Sequence, residues 1–144
     1  IEIGCGLGDI PMKANYKRKY FYDISSEVLN AAKFMQKFSK TSSINYYKTF
    51  DLLTDSLDKS LSFDAVVLVN WIHGVESEVL KRCLSAIINN NLNKKGMIIF
   101  DVIEDNPIYK FNHVIDDLID SQKFNLRILD GYDFGRKLIF AELK

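Results

Sequence analysis

Three glycines at every second position, Gly4, Gly6 and Gly8, stand directly behind the alternating run Ile1-Glu2-Ile3 and constrain this chain more than any other stretch. Two apolar residues around an acid, then the glycines, read as a strand running into a tight turn. Glycine tolerates positive φ and carries no Cβ, so a ligand can approach such a backbone closely. A turn of this kind ahead of a helix start gathers N–H groups at a positive dipole end, where a charged or polar ligand docks. The same residues also suit an ordinary glycine-rich turn between a strand and a helix.

The glycine spacing separates two kinds of ligand. A dinucleotide-binding turn carries G-x-G-x-x-G or a closing Ala, the last small residue letting helix and strand pack closely. Three residues after Gly6 stands Asp9, a branched acid, and the additional glycine is Gly8 instead. The pattern E-x-G-x-G-x-G from Glu2 to Gly8 resembles the first motif of the class I S-adenosylmethionine-dependent methyltransferases. The resemblance implies a Rossmann-like α/β fold: a doubly wound, mostly parallel seven-stranded sheet with helices on both faces and a C-terminal antiparallel hairpin. It implies S-adenosylmethionine as cofactor and S-adenosylhomocysteine as product. The glycine turn would wrap the amino-acid part of the cofactor, with Glu2, Gly4, Cys5, Gly6 and Gly8 as cofactor-binding residues.

Composition narrows the setting. The 144 residues, 47% of them hydrophobic, suit one domain over 1–144 with a real core. Lys+Arg and Asp+Glu balance at 19 each, whereas a groove for duplex nucleic acid shows as a basic patch or a high pI. No duplex nucleic acid partner is therefore expected. Two cysteines, Cys5 and Cys83, make no disulfide framework and fit a reduced, cytoplasmic setting. No signal-like segment and no apolar run approaching ~20 residues is present, so no membrane span is expected. The two histidines and the cysteines show no spacing that suits zinc, and no metal is expected. The chain lacks an initiator Met and begins inside a strand, so a further N-terminal segment is expected; in the family it resembles, that segment is commonly a helix that helps cover the site.

In chain order, residues 9–17 read as a short helix with Pro11 in its first turn. Tyr20-Phe21-Tyr22 is a β-favouring run closing at Asp23. Ligands of doubly wound sheets bind outside the carboxyl ends of the strands, and a carboxylate there can accept two hydrogen bonds from a ribose diol. Tyr22-Asp23-Ile24-Ser25 and the helical run after it are similar to the family's second motif, which implies cofactor contacts for Asp23 and Ile24. Asp23 also suits a helix cap, a role that Ser25 or Ser26 fills equally well. Residues 27–39 read as a helix with Val28, Ala31, Ala32, Met35 and Phe38 on one stripe. Asn45-Tyr46-Tyr47 starts a third strand leading to Thr49-Phe50-Asp51-Leu52. There the resemblance places a polar side chain, Asp51, at the adenine amino group, with Phe50 or Leu52 lining the ring; Asp51 equally suits a cap.

Phe63 to Asn70 is nearly unbroken Val/Leu behind an F-D pair and reads as a strand buried on both faces. It matches the family's fourth strand, whose end lies at the site, and brings Asn70, Trp71 and His73 there. Residues 77–92 give a helix with Val79, Leu80, Cys83, Leu84, Ile87 and Ile88 at three-four spacing, frayed at Asn89-Asn90-Asn91. Lys94-Lys95-Gly96 reads as a helix-terminating turn before a buried strand, Met97 to Val102. Asn106-Pro107 opens a further helix, cap then proline, with Ile108, Phe111, Ile115 and Leu118 as its buried stripe. Phe124 to Ile128 and Lys137 to Ala141, across the glycine-bearing loop 130–135, read as a hairpin.

The function implied is methyl transfer from S-adenosylmethionine to a small-molecule nucleophile, O or N foremost. His73 is the candidate general base, since its ordinary pKa of about 6.5 lies near neutrality, and with Trp71 it is a candidate substrate contact. His73 packing beside Trp71 or capping the next helix is the plainer alternative; His113 reads as surface or packing. Asn70-Trp71-Ile72-His73 lacks the N-P-P-Y or D-P-P-Y sequence of nucleobase amino methylation. Three other functions compete. A non-catalytic S-adenosylmethionine-binding or partner subunit would keep the glycines and Asp23 without needing a base. A nicotinamide oxidoreductase is opposed by Asp9 and the terminal hairpin. An aminopropyl-transferring enzyme would need an acid-rich pocket after the fourth strand, which 70–75 does not supply. Neither the acceptor nor an oligomeric state is written in these residues.

Overall fold

The computed structural model describes residues 1–39, 42–132 and 135–144. The chain divides into two compact units, Ile1–Asp55 and Ser56–Lys144.

The first unit holds three parallel strands in the order β3-β2-β1. These are β1 (Glu2–Ile3), β2 (Arg18–Asp23) and β3 (Ile44–Thr49), paired as the aromatic runs lead one to expect. Phe21 is fully buried among Cys5, Leu29, Met12 and Tyr47, its ring stacked on Tyr47 at 4.7 Å. A phenylalanine buried in this way is worth about 1.5–3 kcal/mol.

Two helices link these strands. Helix α1 (Asp9–Lys13) is shorter than the expected 9–17 because Ala14 turns extended behind it. Pro11 is its third residue, where its missing N–H costs nothing. Helix α2 (Ser26–Gln36) is capped by Ser25, whose Oγ accepts the Val28 N–H at 3.2 Å. Its buried residues are Leu29 and Ala32. Of the expected stripe only Ala32 is buried; Val28 is half-buried, Ala31 and Met35 are exposed, and Phe38, 72% exposed, lies beyond the helix. Adjacent apolar pairs at 28–29 and 31–32 allow two stripes one residue apart, and the packing of Leu29 against Phe21 and Cys5 selects the second.

The second unit holds four strands in the order β4-β5-β7-β6. Strand β4 (Phe63–Leu68) runs parallel to β5 (Leu92–Ile103), and β7 (Arg136–Leu143) pairs antiparallel with both β5 and β6 (Phe124–Tyr132). Val66, Leu68, Ile98, Phe100 and Val102 are fully buried, as a strand covered on both faces requires. Within the units β1, β2 and β3 are parallel, β4 and β5 are parallel, and β7 and β6 form the antiparallel C-terminal hairpin, in a strand order of seven. Asp133 and Phe134 of the expected loop lie outside the described residues.

Three local expectations are corrected in this unit. Helix α3 (Ser77–Asn91) does not fray: Asn91 is buried and donates to the carbonyls of Asp58 at 2.9 Å and Leu61 at 2.8 Å. Lys94-Lys95-Gly96 is a bulge inside β5 rather than a turn ahead of it, since Leu92 pairs with Phe63 and Met97 with Ala65. Its left-handed residue is Lys95 (φ 61°), and Gly96 is needed because a Cβ there would lie 2.8 Å from the Asn93 carbonyl.

The helix expected from Asn106 onward does not propagate. Asn106 Oδ1 accepts the Ile108 N–H as an N-cap does, but only one turn follows, closed by the Tyr109 N–H on the Asn106 carbonyl at 3.3 Å. The Phe111 N–H donates to the His73 carbonyl at 3.1 Å instead of to a helical partner. Ile108 is exposed, Phe111 and Ile115 are half-buried, and only the single turn α4 (Ile115–Leu118) forms. No helix among the described residues is long and apolar enough to cross a membrane.

Candidate functional site

In the first unit Gly4, Gly6 and Gly8 all take left-handed backbone, at φ 71°, 53° and 79°. The Gly4 and Cys5 N–H groups both donate to the Tyr22 carbonyl, at 2.8 and 3.0 Å, and the Gly8 N–H closes the turn on the Cys5 carbonyl at 2.8 Å. At Gly8 a Cβ would meet Phe21 Cε1 at 2.5 Å, so packing as well as φ demands glycine there. At Gly6 a Cβ would meet nothing within 4 Å. That position is open to whatever docks on the turn.

Asp23, at the carboxyl end of β2, fastens the turn. Its Oδ2 accepts the Gly6 N–H at 2.9 Å and its Oδ1 the Ser25 N–H at 3.0 Å. Ser25 is the α2 cap, so Asp23 is not. Each carboxylate oxygen of Asp23 carries further lone-pair capacity for a ligand. Ile24 beside it is 68% exposed, an apolar side chain left in solvent.

Glu2 and Cys5 point inward. Glu2 is 4% exposed, its Oε2 has no hydrogen-bond partner, and burial pushes its carboxyl up to about 8. Burial likewise pushes the Cys5 thiol up to about 12, so its side chain belongs to the core and only its backbone to the turn. Beyond β3, Phe50 and Leu52 are buried on either side of half-buried Asp51. The Phe50 N–H donates to the Asp23 carbonyl at 2.9 Å, and the Tyr22 and Phe50 rings lie 5.3 Å apart. Asp51 Oδ1 accepts the Leu53 N–H at 2.9 Å and its carbonyl the Asp55 N–H at 2.8 Å, so it organises the turn that follows it.

In the second unit the residues after β4 converge on a carboxylate. Asn70 is left-handed (φ 78°), and its N–H donates to Asp101 Oδ1 at 2.9 Å. His73, 2% exposed in the 3₁₀ turn Ile72–Gly74, sets Nε2 3.2 Å from Asp101 Oδ2. Arg136 brings Nε to the same oxygen at 3.2 Å, donates through Nη1 to Asn70 Oδ1, and through Nη2 to the Tyr109 hydroxyl at 2.9 Å. Burial alone would raise the Asp101 carboxyl. The hydrogen bonds from His73 and the Asn70 N–H, with the charges of His73 and Arg136, outweigh it and hold the group below the usual carboxylate range. Trp71 is half-buried at the start of the 3₁₀ turn.

His113 is packing, and it lies outside any helix or strand. It is fully buried, with Nδ1 3.0 Å from Ser77 Oγ and Nε2 3.1 Å from the Ile72 carbonyl, and burial lowers its pKa. The structure thus gathers Glu2, Gly4, Gly6, Gly8 and Asp23 about one turn, and Asn70 and His73 about Asp101. Sequence reading misses Asp101, Tyr109 and Arg136. One signal was present: Asp101 is a lone acid inside the apolar run Met97 to Ile103.

No protein-family model matches this sequence, and no curated protein matches it. Solved structures match its fold over nearly its whole length. Magnesium protoporphyrin IX methyltransferase from Synechocystis PCC 6803, with bound S-adenosylmethionine, aligns at TM-score 0.74 and 16% identity, over 99% of this chain and 68% of that one. The N-methyltransferase NodS from Bradyrhizobium japonicum WM9, in complex with S-adenosylhomocysteine, gives 0.76 and 18%, over 99% and 76%. An S-adenosylmethionine-dependent methyltransferase from Clostridium acetobutylicum ATCC 824 gives 0.71 and 15%, over 99% and 82%. The fold is that of the class I S-adenosylmethionine-dependent methyltransferases, as the glycine turn implies.

Proposed function

We propose that residues 1–144 act as one S-adenosylmethionine-dependent methyltransferase domain whose acceptor is a small-molecule O or N nucleophile. The observation that carries this reading is the unpartnered, buried carboxylate oxygen of Glu2 below a turn of three left-handed glycines, with Gly6 open and pinned to Asp23. An orphaned buried acceptor beside a site built for close approach fits a ligand that carries a cationic amino group. Two solved structures of the same fold hold S-adenosylmethionine and S-adenosylhomocysteine. The glycine turn and Glu2 hold the amino-acid end of the cofactor, and Asp23 accepts from the ribose diol. Ile24, Phe50 and Leu52 line the adenine, with Asp51 at its amino group and Asn70 as a further contact. When bound, the cofactor supplies an electrophilic methyl group.

The remaining catalysis is alignment and proton removal. Holding two reactants in line supplies roughly 7–11 kcal/mol of a barrier. A hydroxyl or ammonium acceptor must also lose a proton, and a placed base contributes about 10²–10⁴-fold. His73 serves as that base, with Trp71 as a wall for the acceptor. A small-molecule acceptor accords with the charge balance of 19 against 19 and with the magnesium protoporphyrin IX acceptor named for one structural neighbour.

Calorimetric titration with S-adenosylmethionine, S-adenosylhomocysteine and NAD tests the reading, with Asp23→Ala as control and circular dichroism to verify that the variant is folded. Micromolar binding of the adenosyl ligands, lost in the variant, supports it. Binding of NAD alone overturns it in favour of an oxidoreductase. Adenosyl binding with a His73→Ala variant that changes no transfer rate supports the second reading, a non-catalytic binding subunit.

A further inference from the structure

The geometry points to Asp101 as the positioning residue that makes Nδ1 of His73 the proton-accepting atom, an assignment that rests on the methyltransferase reading above.

The argument starts from what each partner of Asp101 can offer. Its carboxyl is ionised near neutrality, so both oxygens only accept. Oδ1 faces the Asn70 N–H, while Oδ2 faces Arg136 Nε and His73 Nε2. Nε2 must therefore carry a hydrogen, because a bare Nε2 would set a lone pair against a carboxylate oxygen. The hydrogen bond at one imidazole nitrogen fixes the tautomer, and in the neutral ring that leaves the lone pair on the other.

The other nitrogen is Nδ1, and it is buried with no hydrogen-bond partner. A structural histidine normally satisfies both nitrogens, as His113 does with Ser77 and the Ile72 carbonyl. His73 does not. Its ring instead packs against those of Tyr109 (centroids 4.9 Å) and His113 (5.7 Å), and its backbone carbonyl accepts the Phe111 N–H at 3.1 Å. A fixed ring with one anchored nitrogen and one lone pair that no protein group occupies meets what a general base needs. The proton of an acceptor O–H or N–H passes to Nδ1 and its electron pair stays on the oxygen or nitrogen, which would bond the methyl group as the methyl–sulfur bond breaks, that pair being kept by sulfur in S-adenosylhomocysteine. Asp101 stabilises the resulting imidazolium through Nε2–H. Arg136, bonded to Asp101, Asn70 and Tyr109, keeps the carboxylate from turning away.

The test is nitrogen-15 NMR of the two imidazoles in the full chain, in wild type and in Asp101→Asn. In wild type, His73 should show a single Nε2–H tautomer. The amide of the variant offers a donor as well as an acceptor, so the single-tautomer signal should be lost at His73 alone, His113 serving as internal reference. Binding of S-adenosylhomocysteine, measured by calorimetry, should survive in the variant. An Nδ1–H tautomer in wild type overturns the assignment, and this holds even if Asp101→Asn fails to fold. An unchanged tautomer in a folded Asp101→Asn overturns it as well. If the tautomers behave as expected but wild type binds neither adenosyl ligand, the methyltransferase reading fails, and the proton-accepting role fails with it.

Discussion

Asp23 and Gly6, seventeen residues apart, are joined by a 2.9 Å hydrogen bond from the Gly6 N–H to Asp23 Oδ2. The bond ties the open position of the glycine turn to the carboxyl end of the next strand. It makes the shape of the turn depend on a residue that is not in it. Asp23 also receives the Ser25 N–H, so one side chain sets both the turn and the entry into α2.

Replacing Asp23 with Ala leaves two part-buried N–H groups without acceptors. Each such loss costs about 1–3 kcal/mol. Urea denaturation should show a destabilisation of about 2–6 kcal/mol for the two together. S-adenosylhomocysteine affinity, by calorimetry, should fall by far more than the tenfold that about 1.4 kcal/mol represents.

Gly6→Ala and Gly8→Ala separate backbone strain from packing. Both force alanine into left-handed backbone, at roughly 1–2 kcal/mol. Gly8→Ala adds a collision with the buried Phe21 ring at 2.5 Å, and overpacking costs typically a further 1–3 kcal/mol. Gly8→Ala should therefore lower the urea midpoint more. Gly6→Ala, whose Cβ enters open space, should act mainly on S-adenosylhomocysteine affinity.

Glu2 sets a pH dependence. Its carboxyl ionises near 4.5 in an unperturbed setting and near 8 when buried in the fold. The folded chain therefore binds more protons between those values, and stability falls as pH rises through that window. The contribution is complete below the lower value and is lost on passing the upper one. Urea midpoints measured across the window should decline in wild type, and this component should vanish in Glu2→Gln. A cationic ligand at Glu2 favours its ionised form, so binding of S-adenosylhomocysteine near neutrality should release a proton. Calorimetry in buffers of different ionisation enthalpy reads that release.

Asn91→Ala acts on stability alone. It removes both bonds that hold the end of α3 to the Asp58 and Leu61 carbonyls. The loss should be about 1–2 kcal/mol: the Leu61 carbonyl loses its Asn91 donor, while the Asp58 carbonyl keeps the Leu61 N–H. Urea denaturation measures it, and S-adenosylhomocysteine affinity should stay unchanged.

The legible parts of the chain were those in which residue type states a backbone demand. Gly4, Gly6 and Gly8 announce positive φ, and the Val/Leu run from Ala65 to Val69 announces burial on both faces. Ser25 was legible as an alternative cap, which released Asp23 for the turn. What stayed hidden depends on distant partners. Asp101 meets His73, Asn70 and Arg136 at separations of 28, 31 and 35 residues (the last from 136 − 101), and no local pattern encodes such a meeting. The helix expected after Asn106 stops after one turn because the Phe111 N–H goes to the His73 carbonyl, 38 residues back (111 − 73), which no local pattern encodes. The stripe on α2 was ambiguous by one residue, and only Phe21 resolved it.

The placement of β7 between β5 and β6 bears on how the second unit comes into being. This inner strand is synthesised after β4, β5 and β6. Until Arg136–Leu143 has been synthesised, β5 and β6 each present an unpaired row of N–H and C=O groups, and such edges invite pairing with other chains. A chain that has made β5 and β6 but not yet β7 is therefore exposed to such pairing. Deleting Arg136–Leu143 would take out an inner strand of this unit rather than trim its margin.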